Sequence, residues 1–330
     1  MTIVQKRTPV RAAVKPPGST PTMTGSSPRR ARLPRTRRNL WPYALIAPAV
    51  VGTAFLLVYP LVRAFVISLQ DYKLAELING NAEFVGLENY RTLFSDGRFW
   101  EVVARTFLFM ACNVVLIMIL STLVAMMITR LKKFGRTMVL SSLVLAWAMP
   151  VIAAATVFQW MFNSEFGVVN WMLTSFGFEQ FDRFPWFAHG AAAFVILILL
   201  VVWQSVPFAA ITLYSALTTV PVELHESARL DGAGAWRLFR SVTFPIIRPI
   251  FMLVVCLEVI WTFKAFVQIW VITQGGPGDA TTLLPVYAVQ RALSSQQYDL
   301  GAAASIVTVL ILSGVLVLYF RQMFRQEVQQ

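Results

Sequence analysis

The chain has 330 residues, of which 57% are hydrophobic and only 13% are charged, and its mean hydropathy is +0.64. Soluble domains carry about 25% charged residues, so this composition excludes an ordinary soluble globular protein and indicates that lipid is part of its solvent. The formal net charge of +12 does not indicate nucleic-acid binding, because ten of the 28 basic residues lie in the first 38 positions and most of the others flank apolar runs.

The chain begins with a polar, basic segment. Residues 1–38 are rich in Pro, Ser, Thr, Arg and Lys and contain almost no large apolar side chains, so they cannot bury enough surface to offset their chain entropy. We therefore expect residues 1–41 to form a disordered, basic cytoplasmic tail. The arginines between Arg29 and Arg38 stand directly before an apolar run that is too long for a signal-peptide core, so we expect no cleavage there.

Six apolar stretches follow the tail, and each reaches the length of about 20 residues that a helix needs to cross the hydrocarbon. Strands or loops would leave backbone groups unpaired in lipid, so each stretch is expected to be helical. The sequence thus predicts an all-α membrane protein with six transmembrane helices over residues 42–330. Pro48, Pro60, Pro150 and Pro207 are expected to kink their helices. The six stretches are residues 43–69, 106–128, 138–162, 191–213, 249–272 and 301–320.

The distribution of basic residues predicts the orientation of these spans. The N-terminal tail carries ten, the loops 129–137 and 214–248 carry four each, and the C-terminal tail carries two. The loops on the opposite side carry six in all. By the positive-inside rule, we expect a multi-pass protein of the plasma (inner) membrane with both termini in the cytoplasm and a folded outer loop at 70–105.

The sequence contains none of the motifs that carry catalysis or metal binding. No G-x-x-x-x-G-K-[ST] phosphate loop occurs, and there is no catalytic triad, paired-carboxylate site or zinc motif. Cys112 and Cys256 lie in apolar runs and are expected to be small buried hydrophobes, while His189 and His225 form no ligand set. We therefore expect that the chain is not an enzyme and holds no metal or cofactor of its own.

The most informative segment is the loop at 218–248, between the fourth and fifth apolar stretches. Pro221 suits the first position of a helix, and Gly232 suits the left-handed residue that ends one. A second short helix is expected over residues 236–241, before Pro245 begins the return to the membrane. Two short helices around a glycine turn would then lie at the cytoplasmic surface.

This loop admits two interpretations. Spacing alone favours an ordinary amphipathic loop in which Glu226 and Arg229 pair across one turn. The loop also closely resembles the EAA motif of permease subunits from ATP-binding-cassette (ABC) importers, E-A-A-x-x-D-G-A followed by F-x-x-I-x-L-P. Ser227, Val242 and Phe244 replace its second residue, its Ile and its Leu. The residues that match the motif are Glu226, Ala228, Asp231, Gly232, Ala233, Phe239 and Pro245.

The resemblance implies a function for the loop. In that family the segment is a coupling helix that docks into a cleft on a separate ATPase subunit. The family has the type I ABC importer permease fold, which would make residues 42–330 a permease domain. The ATP and Mg would then be bound by a partner dimer of ATP-binding subunits, and this chain would supply the matching residues as contacts.

Two further segments are similar to sugar-importer permeases. Residues 84–94 and 99–100 resemble their outer loop, and residues 273–277 resemble the approach to their last span. The similarity covers most of residues 42–325 and implies the first permease of a heterodimeric pair in the maltose- and glycerol-phosphate-type family. The implied partners are a second permease, an extracytoplasmic solute-binding lipoprotein, membrane lipids and a sugar. The departures from the usual pattern are Arg105 where Asn is common and Val267 where Asp is common.

A substrate pathway is expected among the polar residues of the spans. Charged groups inside a membrane are costly and often functional, which favours Glu258 and Lys264. The amides of Asn113, Gln159, Gln204 and Gln268 would line a sugar-sized cavity, and the indole of Trp203, Trp261 or Trp270 would stack on a sugar ring. The alternative is that these polar residues only bind neighbouring helices.

Two other classes of protein fit parts of the sequence. An ion-driven solute carrier would have inverted repeats and more ionisable residues at the membrane centre, and neither is evident. A membrane scaffold or assembly factor would share the topology but would give no reason for the motif in the loop. Co-purification of an ATPase separates the importer from both.

Overall fold

The structure is a computed structural model that describes Trp41–Glu327. All but the last residue of the predicted 1–41 tail lies outside the described residues. The chain divides into two units, one that ends at Gly52 and one that begins at Thr53. The described part of the first unit belongs to helix α1 (Trp41–Thr53), an apolar helix that continues past Pro48.

The predicted all-helical membrane fold is confirmed. The described residues contain five helical segments that are long and apolar enough to cross a membrane, and a sixth when one bent pair counts as a single span. The five segments are Leu45–Ile67, Gly97–Arg130, Gly190–Leu217, Ala235–Ile272 and Tyr298–Arg321, and the bent pair is Lys133–Trp147 with Val151–Met161.

In the second unit the spans alternate with short surface helices. A small antiparallel sheet of β1 (Gln70–Asp71) and β2 (Glu83–Phe84) precedes the second span. The helices are α2 (Tyr59–Ile67), α3 (Leu74–Asn79), α4 (Glu88–Ser95), α5 (Gly97–Arg130), α6 (Lys133–Trp147), α7 (Val151–Met161), α8 (Val168–Ser175), α9 (Gly190–Leu217), α10 (Val222–Leu230), α11 (Ala235–Leu238), α12 (Phe244–Phe263), α13 (Val267–Ile272), α14 (Leu284–Val289) and α15 (Tyr298–Glu327), with 3₁₀ turns at Glu179–Phe181 and Trp186–Ala188 and π-helical turns at Ala54–Val58, Phe239–Thr243 and Gln290–Ser294.

The second span begins nine residues earlier than the sequence analysis placed it. The Asp96 carboxylate accepts a hydrogen bond from the Arg98 backbone N–H at 2.9 Å, which caps α5 at its first turn. Phe99 and Val102 are fully buried, so these turns pack against the rest of the protein. Residues 97–105, which were expected in the outer loop, are therefore helical.

The kink expected at Pro150 is a sharp elbow. Helices α6 and α7 meet at 96° across a break of three residues that ends at this proline. Proline has no backbone N–H and its ring collides with the preceding turn, so the helix ends before it and restarts after it. By contrast, α9 continues through Pro207.

The fifth span differs from its expected form at both ends. It is broken at residues 264–266, between α12 and α13, where a continuous span over 249–272 was expected. At its other end the π-helical turn Phe239–Thr243 joins α11 directly to α12. The expected separate short helix over residues 236–241 is not formed, because α11 runs through the π-helical turn into α12 without a break and Pro245 lies in the first turn of α12.

The core lies between α5 and α9, which pack along much of their length. Ring contacts such as Phe109–Phe194 at 5.5 Å join the two helices. A second buried cluster, which contains Phe99, Leu284 and Tyr287, ties the start of α5 to α14 and α15. The outward faces carry many exposed Leu, Val and Ile side chains, as expected for helices that face lipid.

Candidate functional site

The loop between the fourth and fifth spans folds around a glycine turn, as the sequence predicted. Helix α10 starts after Pro221 and ends in a turn at Gly232, whose φ is 76°. The Ala233 N–H donates to the Ala228 carbonyl and the Gly232 N–H to the Arg229 carbonyl, each at 3.0 Å. This is the Schellman arrangement, in which a left-handed residue lets the last helical carbonyls find donors.

The residues that match the motif fall into two groups. Glu226, Asp231 and Gly232 are exposed, and no described residue forms an ion pair with either carboxylate. The Glu226–Arg229 pair of the alternative interpretation is therefore not formed. Ala228, Ala233 and Phe239 are half-buried, and Pro245 lies in the first turn of α12.

The same loop exposes apolar side chains at its tip. Leu230 is 90% exposed and Trp236 is 72% exposed, on either side of the glycine turn. The Trp236 ring lies 6.2 Å from the ring of Phe239, so it rests on the start of the fifth span. Exposed apolar groups at the end of a short polar helix are typical of a surface that a partner covers.

A second candidate site is a cavity of about 350 Å³ inside the membrane-spanning part. The Gln268 amide donates to the Gln204 carbonyl oxygen at 3.0 Å across it, which joins α13 to α9. Lys264 lies at its edge and is exposed. The other residues that line the cavity are Trp147, Val151, Val201, Ser205, Trp261, Ala265, Phe266 and Val267.

Both breaks in the spans meet at this cavity. Trp147 and Val151 come from the elbow between α6 and α7, and Ala265 from the break between α12 and α13. Irregular backbone at membrane depth is tolerated where it lines a cavity, because its free polar groups can bind water or a solute. Trp261 contacts Phe208 at 5.0 Å between ring centroids, and Phe208 in turn stacks on Trp147. The cavity wall is thus aromatic, with amide groups opposite.

The predicted pathway residues do not all meet. Gln204, Trp261, Lys264 and Gln268 line the one cavity, whereas Asn113 is fully buried in α5 and does not line it. Its side-chain N–H donates to the Phe109 carbonyl of its own helix at 2.8 Å.

Glu258 also lies outside the cavity. It is fully buried on α12, neither of its carboxylate oxygens has a hydrogen-bond partner among the described residues, and Ser205 of α9 is its polar neighbour. Trp147 and Ser205 were missed by sequence analysis. The position of Pro150 was the available signal for Trp147, because side chains beside a helix elbow face the space that the elbow opens.

A network of charges holds the segment before the last span against the start of α5. The Asp96 carboxylate accepts hydrogen bonds from the Tyr287 hydroxyl at 3.1 Å and from Arg291. Arg98 forms an ion pair with Asp279 at 2.8 Å. The guanidinium groups of Arg98 and Arg291 lie 5.5 and 5.1 Å from the Tyr287 ring centroid. Burial raises the pKa of the Tyr287 phenol, so Tyr287 remains a hydrogen-bond donor at neutral pH.

These features define a polytopic α-helical membrane protein with an exposed helix–turn segment between two spans and a polar cavity among the spans. The family model described as "Binding-protein-dependent transport system inner membrane component" matches residues 117–330, and the chain belongs to this family. The resemblance noted in the sequence is therefore confirmed, and the chain is a transport component of the inner membrane. The ion-driven carrier has no support from these comparisons.

Three curated relatives are similar over most of their length. The diacetylchitobiose uptake system permease protein DasB of Streptomyces coelicolor is 44% identical over 92% of this chain and 92% of its own. The sulfoquinovosyl glycerol transport system permease protein SmoG of Agrobacterium fabrum is 31% identical over 88% of this chain and 94% of its own. The trehalose/maltose transport system permease protein MalF of Thermococcus litoralis is 31% identical over 84% of this chain and 92% of its own.

The fold also matches solved structures. A chain of a bacterial ABC transporter involved in the import of the acidic polysaccharide alginate superposes with a TM-score of 0.75 at 21% identity, over 87% of this chain and 96% of that one. A second structure of a bacterial alginate ABC transporter, in complex with a periplasmic protein that holds an alginate pentasaccharide, gives a TM-score of 0.73 over 86% of this chain and 93% of that one. The type I ABC importer permease fold is therefore confirmed.

Proposed function

We propose that this chain is one of two permease subunits of an ABC importer that moves a sugar or oligosaccharide across the plasma membrane. It forms half of the translocation pathway and couples that pathway to a separate ATPase dimer, which binds the ATP and Mg. The observation that carries the proposal is the exposed helix α10 with its glycine turn and its apolar tip. Membership in a family of inner-membrane transport components supports it.

The coupling step rests on the exposed face of the loop. Glu226 and Asp231 present carboxylates that form no ion pair with any described residue, and Leu230 and Trp236 present apolar surface. When the ATPase dimer closes around ATP, it pulls on these contacts. Because α11, the π-helical turn and α12 form one continuous helical path, the pull reaches the fifth span and the cavity that it lines. Phe239 and Pro245 lie on this path.

The orientation follows from the basic residues. Loops and tails rich in Lys and Arg stay on the cytoplasmic side, which places α10 where an ATPase is available and both termini in the cytoplasm. The sheet β1–β2 and helices α3 and α4 then face outward. A solute-binding lipoprotein docks on this outer side and releases its sugar into the opened pathway.

The choice of a sugar rests on two supports. The three relatives are named for the uptake of diacetylchitobiose, sulfoquinovosyl glycerol and trehalose or maltose, which are all carbohydrates or carbohydrate derivatives. The cavity combines two glutamine amides and Lys264, which can bind hydroxyl groups, with Trp261, which offers a flat surface to a sugar ring. The proposed substrate is therefore an oligosaccharide, with or without substituents on its sugar rings.

The test reverses one charge on α10. Glu226→Lys should still insert into the membrane but should lose co-purification of the ATPase and uptake of labelled oligosaccharide. Glu88→Lys is the matched control for ATPase co-purification, because Glu88 is also an exposed carboxylate but lies at the start of α4, on the proposed outer side. Full uptake by the Glu226 variant, or a wild-type chain that captures no ATPase, would contradict the proposal.

A further inference from the structure

A second cavity, of about 620 Å³, lies beneath the loop that carries α10. Its basic side chains are Arg130 at the end of α5, Arg136 at the start of α6, and His225 and Arg229 on α10. None of the residues that line it carries a carboxylate, and the described residues form no ion pair with any of its three arginines. The positive charge of this pocket is therefore not balanced by an acidic residue of its lining, which favours the binding of an anion.

Arg136 contributes an unsatisfied hydrogen-bond donor to this cavity. One of its terminal nitrogens donates to the Leu131 carbonyl at 3.2 Å, and its guanidinium lies over the Tyr214 ring at 6.0 Å from the centroid. Its Nε is buried and has no acceptor among the described residues. A buried guanidinium N–H without an acceptor is costly, and a planar fork of donors fits a phosphate or a carboxylate.

The neutral side chains of the pocket fix its wall. Thr243 holds His225 through a 3.0 Å hydrogen bond between Oγ1 and Nε2, whereas the hydroxyl groups of Thr129 and Thr218 donate to the backbone carbonyls of Met126 and Ser215. The bond between Thr243 and His225 positions the imidazole at the cavity wall. No single one of these groups makes a site. Three guanidinium groups around one cavity, however, supply the positive charge and the N–H donors for bidentate hydrogen bonds to a phosphate.

The location of the pocket indicates where the phosphate comes from. Arg130 is the last residue of α5 and Leu217 the last residue of α9, so the cavity lies where two spans end. Met126, Leu217 and Val220 give it an apolar side next to the membrane. Basic pockets between helices at this level bind the head groups of anionic lipids.

We propose that this cavity is a phosphate-binding site, filled by the head group of an anionic phospholipid or by a soluble phosphate ester. The phosphate binds the guanidinium groups of Arg130, Arg136 and Arg229 and so joins α5, α6 and α10. Assignment to the cytoplasmic side rests on the proposed function, but the site itself does not. An occupied site holds α10 through Arg229, and the exposed Glu226 carboxylate stays free for a partner.

The test measures lipid retention by the full chain, purified with whatever subunits accompany it. The probe is phosphatidylglycerol, added to phosphatidylcholine nanodiscs and counted on the protein by native mass spectrometry. Arg136→Gln and Arg229→Gln should each weaken retention by about tenfold or more, because each removes charge-assisted hydrogen bonds to phosphate. Arg136→Lys keeps the charge without the planar fork and should fall between the wild type and Arg136→Gln.

Two comparisons keep the test clear. Arg237→Gln removes the same charge from the same loop, but Arg237 is exposed and does not line the cavity, so retention should equal that of the wild type. If Arg136→Gln does not insert, Arg130→Gln replaces it, because Arg130 is exposed at a helix end. Release of phosphatidylglycerol by excess inorganic phosphate would assign the site to soluble phosphates, and no release would assign it to the lipid.

Equal retention in all variants, with no effect of inorganic phosphate, would overturn the proposal. So would variants that keep the lipid but lose the ATPase, since the arginines would then belong to a protein interface. A wild-type chain that retains the lipid yet captures no ATPase would support the site while contradicting the proposed function. The two proposals therefore fail on different measurements.

Discussion

The backbone N–H of Ala233 donates to the carbonyl oxygen of Ala228 across 3.0 Å, and the chain between them turns at Gly232 with a φ of 76°. A Cβ built on Gly232 would meet nothing within 4 Å, so the glycine is required by its backbone and not by crowding. Three residues of the motif therefore shape one turn. That turn sets the direction in which Glu226 and Leu230 face.

Two replacements of Gly232 should impair the coupling of transport to the ATPase to different extents. Gly232→Ala is expected to strain the turn by roughly 1 kcal/mol, because an L-residue with a Cβ resists positive φ. Gly232→Pro should break the turn, since proline cannot adopt this φ and has no N–H to donate to Arg229. Uptake of labelled oligosaccharide and ATPase co-purification should fall modestly in the first variant and be lost in the second.

Gly80 provides the matched control for this experiment. It ends α3 with a φ of 73°, and a Cβ there would also meet nothing within 4 Å. Gly80→Ala should carry the same local strain and leave ATPase capture intact. Equal loss of capture in the Gly80 and Gly232 alanine variants would mean that the turn has no special part in coupling.

The apolar tip of the loop should contribute to partner affinity and not to folding. Leu230 is 90% exposed, so Leu230→Asp removes almost no intramolecular contact. Full burial of a leucine side chain in an interface is worth about 1.5–3 kcal/mol, which predicts a loss of roughly tenfold to a hundredfold in ATPase affinity. Titration of the ATPase against the reconstituted chain measures this, with Leu293→Asp as the control because Leu293 is exposed before the last span. An unchanged affinity for the Leu230 variant would exclude the tip from the interface.

Sequence reasoning succeeds here where a local rule decides the structure. Spans follow from the length of apolar runs, the elbow from Pro150, and the end of α10 from Gly232. The break at residues 264–266 has no proline or glycine within it, so packing of α13 against α7 and α9 decides it and no local signal predicts it. The same holds for contacts between distant segments, such as Asp96 and Arg291, which are 195 residues apart.

The Asp96–Arg291 ion pair should stabilise the protein more than an exposed ion pair does. Its two side chains are 27% and 22% exposed, whereas those of the Asp71–Lys73 pair are 45% and 54% exposed. A double-mutant cycle with alanine at Asp96 and Arg291 is expected to give a coupling energy of about 1–2 kcal/mol. The exposed pair should give less than about 1 kcal/mol.

The cycle is needed because Asp96 also caps α5 through the Arg98 N–H, and a single Asp96→Ala variant would lose both interactions. The measurement is the free energy of unfolding of the detergent-solubilised chain. The surface pair should weaken further in high salt, and the half-buried pair should weaken less. Equal coupling energies for the two pairs would show that burial adds nothing to this contact.

The last prediction concerns the cavity that contains Gln204 and Gln268. It distinguishes a loss of uptake from a loss of assembly with the ATPase. Gln204 and Gln268 hydrogen-bond to each other across the space where we place the sugar, so each side chain can exchange that bond for a substrate hydroxyl. Leucine has nearly the same volume, and Gln204→Leu or Gln268→Leu should therefore preserve packing while it removes a polar partner. The loss of a hydrogen bond to a substrate hydroxyl should cost about 1.5 kcal/mol of binding free energy.

We expect uptake of labelled oligosaccharide to fall by roughly tenfold or more in either variant, while ATPase co-purification stays at the wild-type level. Gln159→Leu is the control, because Gln159 is a half-buried glutamine on α7 that does not line the cavity, and its uptake should be unchanged. Since the Gln204–Gln268 bond joins two helices, a merely structural role would lower the melting temperature of both variants in step with uptake. Loss of uptake at an unchanged melting temperature would therefore assign the pair to the substrate, and normal uptake by both variants would remove this cavity from the pathway.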